Sequence, residues 1–101
     1  MTILKICGEI SPSKRHEFEQ AVQALLKSNL PGKETSGGKL YQELGHQNHF
    51  CYLEEWPSRK KLDARIQTDG FKALLGAMQV LGDVTEARII LSDHTEALDL
   101  S

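Results

Sequence analysis

The run His49-Phe50-Cys51-Tyr52-Leu53-Glu54-Glu55-Trp56, closed by Pro57-Ser58, constrains the fold of this chain more than any other segment. Aromatic residues dominate it, and the proline that follows cannot donate to a sheet ladder. It therefore reads as a strand that ends at Trp56. Phe50, Tyr52, Glu54 and Trp56 share one parity, and Cys51 and Leu53 share the other. Side chains alternate across a strand, so both faces of this one are apolar and both need cover. A chain of 101 residues has room for a single core, which places the strand inside one sheet.

The flanking segments supply partners. Residues 2–10 alternate, with Leu4, Ile6 and Ile10 on one parity and Ile3 and Cys7 on the other, a first strand. Ser11-Pro12 reads as an N-cap and a first-turn proline, after which Phe18, Ala21, Val22, Leu25 and Leu26 recur at helical spacing to about Ser28. Pro31, Gly32, Gly37 and Gly38 make residues 29–38 a loop. Residues 39–44 form a second strand, joined to the aromatic one by a turn at 45–48 in which Gly45 and Asn48 suit positive φ. Ser58 caps a short helix whose apolar positions are Leu62 and Ile66. Thr68-Asp69-Gly70 interrupts it, with Asp69 as the expected cap of a further helix carrying Phe71, Leu74, Leu75, Met78 and Leu81. Gly82 stops that helix. Val84 to Leu91 is a fourth strand, with Ala87, Ile89 and Leu91 opposing Val84 and Ile90. His94 to Ser101 reads as a polar tail that Leu98 and Leu100 can dock.

The order is β-α-β-β-α-β, the ferredoxin-like α+β pattern, as one domain over residues 1–93 with a tail over 94–101. Right-handed crossovers put the helices on one face of a single antiparallel sheet. The other face keeps apolar residues, and pairing with a second copy about a two-fold axis is the simplest cover, so a homodimer is expected. A monomer with a few exposed aliphatics, or a tail folded over the sheet, is the alternative.

Composition narrows the partners. The net charge of −2 comes with no basic stripe, and Arg59-Lys60-Lys61 at a helix start reads as a solvated face, so neither nucleic acid nor an acidic membrane is expected. No apolar run approaches the roughly 18 residues that span a bilayer, and the N-terminal residues lack the basic-then-apolar pattern of a secretory leader, so none is expected. Cys7 and Cys51, each inside an apolar strand, read as reduced and buried, which with the missing leader points to the cytoplasm.

The residues Phe50 to Ser58, followed by Leu62 and then Thr68, Phe71 and Leu74, resemble the antibiotic biosynthesis monooxygenase (ABM) domain family. There, a strand with a Glu-x-Trp-x-Ser pattern precedes a helix and a T-x-x-F junction. The opening Ser11 to Phe18 is similar to that family's first strand-to-helix turn, and Tyr41 matches an aromatic of its second strand. The resemblance implies a dimeric α+β barrel with a pocket between sheet and helices. It also implies oxygenase chemistry on quinols or phenols with no metal, flavin or other cofactor. Two departures stand out: Arg65 and Gly70 occupy positions where the family often carries histidine. Residues 1–28 contain no Asn and residues 50–93 no His, so haem ligation in the manner of the haem-degrading relatives is not expected.

Candidate chemistry gathers on the same strand. Glu54 shares the parity of Tyr52 and Trp56, where burial can raise its pKa and make it a base; pairing with Arg65 is the competing role. Trp56 can wall a cleft or simply cover the helix junction. Arg65 offers several donors to an anionic or phenolate oxygen, or is solvated on a short helix. Tyr41, Tyr52 and Phe71 are the candidate substrate contacts. His46 and His49 lack the spacing of a metal site and read as turn residues. The expectation is an oxygenase of a small aromatic molecule, with Glu54, Trp56 and Arg65 at its centre. A non-catalytic ligand-binding dimer and an isomerase of a small metabolite are the alternatives.

Overall fold

A computed structural model describes residues 1–29 and 38–100. In chain order the elements are β1 (Thr2–Ile10), α1 (Arg15–Asn29), β2 (Lys39–Gln42), β3 (His49–Trp56), α2 (Arg59–Ile66), α3 (Asp69–Leu81), β4 (Gly82–Ile90) and β5 (Thr95–Ala97). They build one five-stranded sheet in the order β2-β3-β1-β4-β5, antiparallel throughout. This is the expected ferredoxin-like α+β topology, with the second helical region split in two. The loop expected over residues 29–38 lies almost wholly outside the described residues.

One sheet face is dry. Leu4, Ile6 and Ile10 from β1, with Phe50, Tyr52 and Trp56 from β3, pack against Phe18 and Val22 of α1, Leu62 of α2, and Phe71, Leu74 and Met78 of α3. Ser58 caps α2 by accepting from the Lys61 N–H at 3.2 Å. No helix among the described residues is long and apolar enough to cross a membrane.

Several expectations change. Thr68, not Asp69, caps α3: its hydroxyl accepts from the Phe71 N–H, and Asp69 is the first helical residue. The Ser11 side chain makes no capping bond; residues Pro12–Lys14 form a 3-10 turn that leads into α1. In the β2–β3 turn only Gly45 takes positive φ, at 89°, and β2 ends at Gln42 rather than residue 44. Gly82 does not end α3 in a left-handed turn. It is already extended, and a side chain there would meet the Glu9 carbonyl oxygen at 2.2 Å, so glycine serves close strand approach.

Three corrections alter the faces of the sheet. A bulge separates the Cys7–Glu86 and Gly8–Val84 pairings, leaving Thr85 as the extra residue. It turns Val84 onto the helix side with Ala87 and Ile89, not opposite them. The tail over 94–101 contributes β5, which pairs with β4 and buries Leu98. Finally, Cys7 and Cys51 are direct cross-strand partners joined as a disulfide, not separate reduced thiols. The cytoplasmic expectation drew on free thiols, and that premise no longer holds.

Candidate active site

Alternation along β3 points Tyr52, Glu54 and Trp56 into the same buried layer. Helix α2 lays Leu62 and Arg65 against that layer, because its capped start at Ser58 fixes which of its faces turns inward. Arg65, expected on solvated helix surface as one reading, is in fact only 5% exposed, and Glu54 is fully buried. The two form an ion pair, with Arg65 Nη2 donating to Glu54 Oε2 at 3.0 Å and Nε spanning both oxygens at 3.3 Å. Trp56 Nε1 donates to Glu54 Oε1 at 2.9 Å, and the Tyr52 hydroxyl donates to Oε2. The guanidinium also lies 5.9 Å from the centroid of the buried Phe71 ring, a cation–π distance. Thr68 joins the helix junction to this network by donating to the Arg65 carbonyl at 2.7 Å.

Electrostatics reinforce the closure. Burial, with the charge and hydrogen bond of Glu54, drives the Tyr52 phenol far above its ordinary pKa, so it stays a donor. Burial by itself would lower the Arg65 pKa, but the hydrogen bonds and charge of Glu54 outweigh it and the net direction is upward. Glu54 thus has donors on both oxygens. A carboxylate so engaged anchors its neighbours, whereas a base needs an accessible lone pair.

The described cleft lies beside this network, one step along the strand. A cavity of about 340 Å³ opens between α1 and the β2–β3 ribbon, lined by Glu19, Val22, Gln23, Leu26, Leu40, Gln42 and Phe50. That falls within the range of about 300–1,000 Å³ typical of small-molecule sites. Phe50 is the next residue on the inner face of β3 from Tyr52, and Leu40 is paired with Tyr52 across the ribbon. Gly38 closes over the phenol: a side chain built there would stand 2.1 Å from the Tyr52 oxygen.

Of the sequence candidates, Tyr52, Glu54, Trp56, Arg65 and Phe71 come together. Tyr41 does not. Its parity places it on the outer sheet face opposite Cys51, and it is 49% exposed. His46 and His49 both lie near Glu43, at 3.5 and 3.6 Å, and His49 Nε2 sits 3.3 Å from the Thr85 hydroxyl. No group of three or more His, Cys, Asp or Glu side chains among the described residues is arranged to hold a metal ion. Sequence reading passed over Glu19, Gln23 and Gln42. The only available signal was the position of Glu19 and Gln23 flanking Val22 and Leu26, and polar residues beside an apolar helix stripe are ordinary.

No family model matches the sequence. The chain is 24% identical over 75 residues, 74% of its length and 79% of the relative's, to the protein named Putative monooxygenase YcnE of Bacillus subtilis (strain 168). A crystal structure described as antibiotic biosynthesis monooxygenase superposes with a TM-score of 0.74 at 20% identity, covering 93% of this chain and 98% of the other. SnoaB, a cofactor-independent oxygenase from Streptomyces nogalater, superposes with a TM-score of 0.73 at 15% identity, covering 92% and 93%. At these identities the structural likeness establishes the fold, and the resemblance carried by residues 50–74 agrees with it.

Proposed function

We propose that this chain, which has the fold of the antibiotic biosynthesis monooxygenases, is a cofactor-independent oxygenase of a small quinol or phenol held in the α1–β2–β3 cleft. The observation that carries this reading is the cleft itself. Val22, Leu26, Leu40 and Phe50 give an apolar slot for a ring, and Glu19, Gln23 and Gln42 give polar atoms for its hydroxyl groups. In such chemistry the substrate loses a proton and its anion reacts with oxygen. One oxygen atom enters the ring and the other leaves as water with two substrate hydrogens, so a phenol yields a quinone. The protein's share is to exclude water and to hold charge and protons in place. Tyr52, paired with Leu40 of the slot and bonded to the buried Glu54–Arg65 pair, links the slot to that network. The relative described as a cofactor-independent oxygenase supports the same reading.

We also propose that the outer sheet face pairs with a second copy. In the single chain Ile3, Leu53 and Ile90 are only half-buried there, beside the exposed Tyr41 ring. A non-catalytic binding role is favoured by one observation, the full engagement of Glu54 by donors. An oxygen electrode with a panel of naphthohydroquinones and phenols separates the readings. Oxygen uptake above autoxidation, lost when Leu26→Trp fills the cleft, is the expected result. Saturable binding with no uptake establishes the binding role, and neither uptake nor binding ends both readings.

A further inference from the structure

We infer that Glu19 accepts the hydroxyl hydrogen of the bound aromatic, so that the cleft selects free phenols and quinols over their ethers. This rests on the reading of the cleft as the substrate site. Glu19 lines the cleft with Gln23 and Gln42. Its Oε1 lies 3.4 Å from Arg15 Nε, and its other carboxylate oxygen has no hydrogen-bond partner among the described residues. Its side chain is 39% exposed, unlike that of Glu54, so an incoming hydroxyl can reach it.

The surroundings hold that carboxylate at the mouth. Arg15 sits 6.0 Å above the Phe50 ring centroid and donates to Gln47 Oε1 at 3.2 Å. Gln42, paired with Phe50 across the ribbon, donates its Nε2 to the Gln47 carbonyl at 2.7 Å. Arg15, over the face of Phe50, is thus bonded with Gln47 and Gln42 into a rim, and Glu19 is tied into it through Arg15. A ring lying against Phe50 brings a substituent to this rim. Of the side chains lining the cleft, Glu19 is the one that carries a carboxyl group, and hydrogen bonds to carboxylates are about twice as strong as those between neutral groups. A methyl ether has no hydrogen to donate and desolvates the second carboxylate oxygen without replacing its water, which is how a polar site rejects an analogue.

The test uses the full chain with 1-naphthol and 1-methoxynaphthalene as probes, titrated at a pH where the naphthol is protonated. The wild-type protein is expected to bind naphthol about tenfold more tightly than the ether. Glu19→Leu should bring the two affinities within about twofold, largely by tightening the ether, while Glu19→Asp keeps part of the preference. Circular dichroism establishes that each variant is folded. Leu26→Trp should abolish binding of both probes. Equal binding of both probes by the wild type, or an unchanged preference in Glu19→Leu, overturns the role of Glu19 and leaves the cleft reading intact. Absence of binding, or binding untouched by Leu26→Trp, overturns both.

Discussion

Glu54 and Arg65 are the residues whose roles depend most on each other. A carboxylate without solvent exposure is stable here because every lone pair faces a donor, and the guanidinium is stable because it faces the carboxylate. Removing one partner leaves a buried charge uncompensated. Glu54→Gln is therefore expected to lower unfolding stability in urea by about 3–5 kcal/mol. A Glu54→Leu, Arg65→Leu pair should lose less than the sum of its singles, and a Glu54→Gln cost under about 1 kcal/mol would show that the pair contributes little. The parity of Glu54 with Tyr52 and Trp56 was legible in the linear order, because strand alternation leaves no choice. The partner was one of two readings: pairing with Arg65 stood beside an Arg65 solvated on a short helix, and the pair forms because α2 crosses this end of β3.

At the scale of elements, three features of the sheet are ones that periodicity does not encode. The bulge in β4 reverses the face of Val84, since one inserted residue flips everything beyond it. The terminal segment becomes β5 because its backbone completes the edge of β4, Leu98 reaches the core, and Glu96 receives the Arg59 guanidinium from α2. That ion pair and the neighbouring His94 hold the Glu96 pKa below its ordinary value. The disulfide links β1 to β3 across a sequence separation of 44. Closing a loop of that size in the unfolded chain is worth about 2–4 kcal/mol. Reduction, or Cys51→Ser, should lower the urea midpoint accordingly, with thiol titration following the loss. Identical midpoints with and without reductant would show that the linkage does not constrain the unfolded chain.

For the whole molecule, the outer sheet face is the surface on which assembly turns. It carries Ile3, Leu53, Ile90 and Tyr41, but also a Lys5–Glu86 pair at 3.3 Å and an Arg88–Glu86 pair at 3.2 Å. The bulge removes Val84 from it, so it is less apolar than alternation alone suggests. Pairing with a second copy then needs the aliphatic centre and the flanking charges to be self-complementary. Light scattering should give twice the chain mass for the wild type and a single-chain mass for Leu53→Glu. That carboxylate would stand between Lys5 and Lys39 within one chain, which spares the monomer, yet would be buried in a two-fold interface. A wild-type monomer, or a Leu53→Glu dimer of unchanged stability, would sink the proposed interface.

By itself, the order of residues determined the first four strands and the helices between them, the ferredoxin-like pattern they make, and the inward set Tyr52, Glu54 and Trp56. Each follows from local periodicity, caps and turns, which act over a few residues. Only the tertiary structure decided that Glu54 meets Arg65, that Cys7 meets Cys51, and that Tyr41 faces away from Tyr52. It also decided that the cleft is lined by Glu19, Gln23 and Gln42. These depend on how helices cross strands and on the register in which β1 and β2 pair with β3, and such long-range packing leaves no periodic trace in the chain.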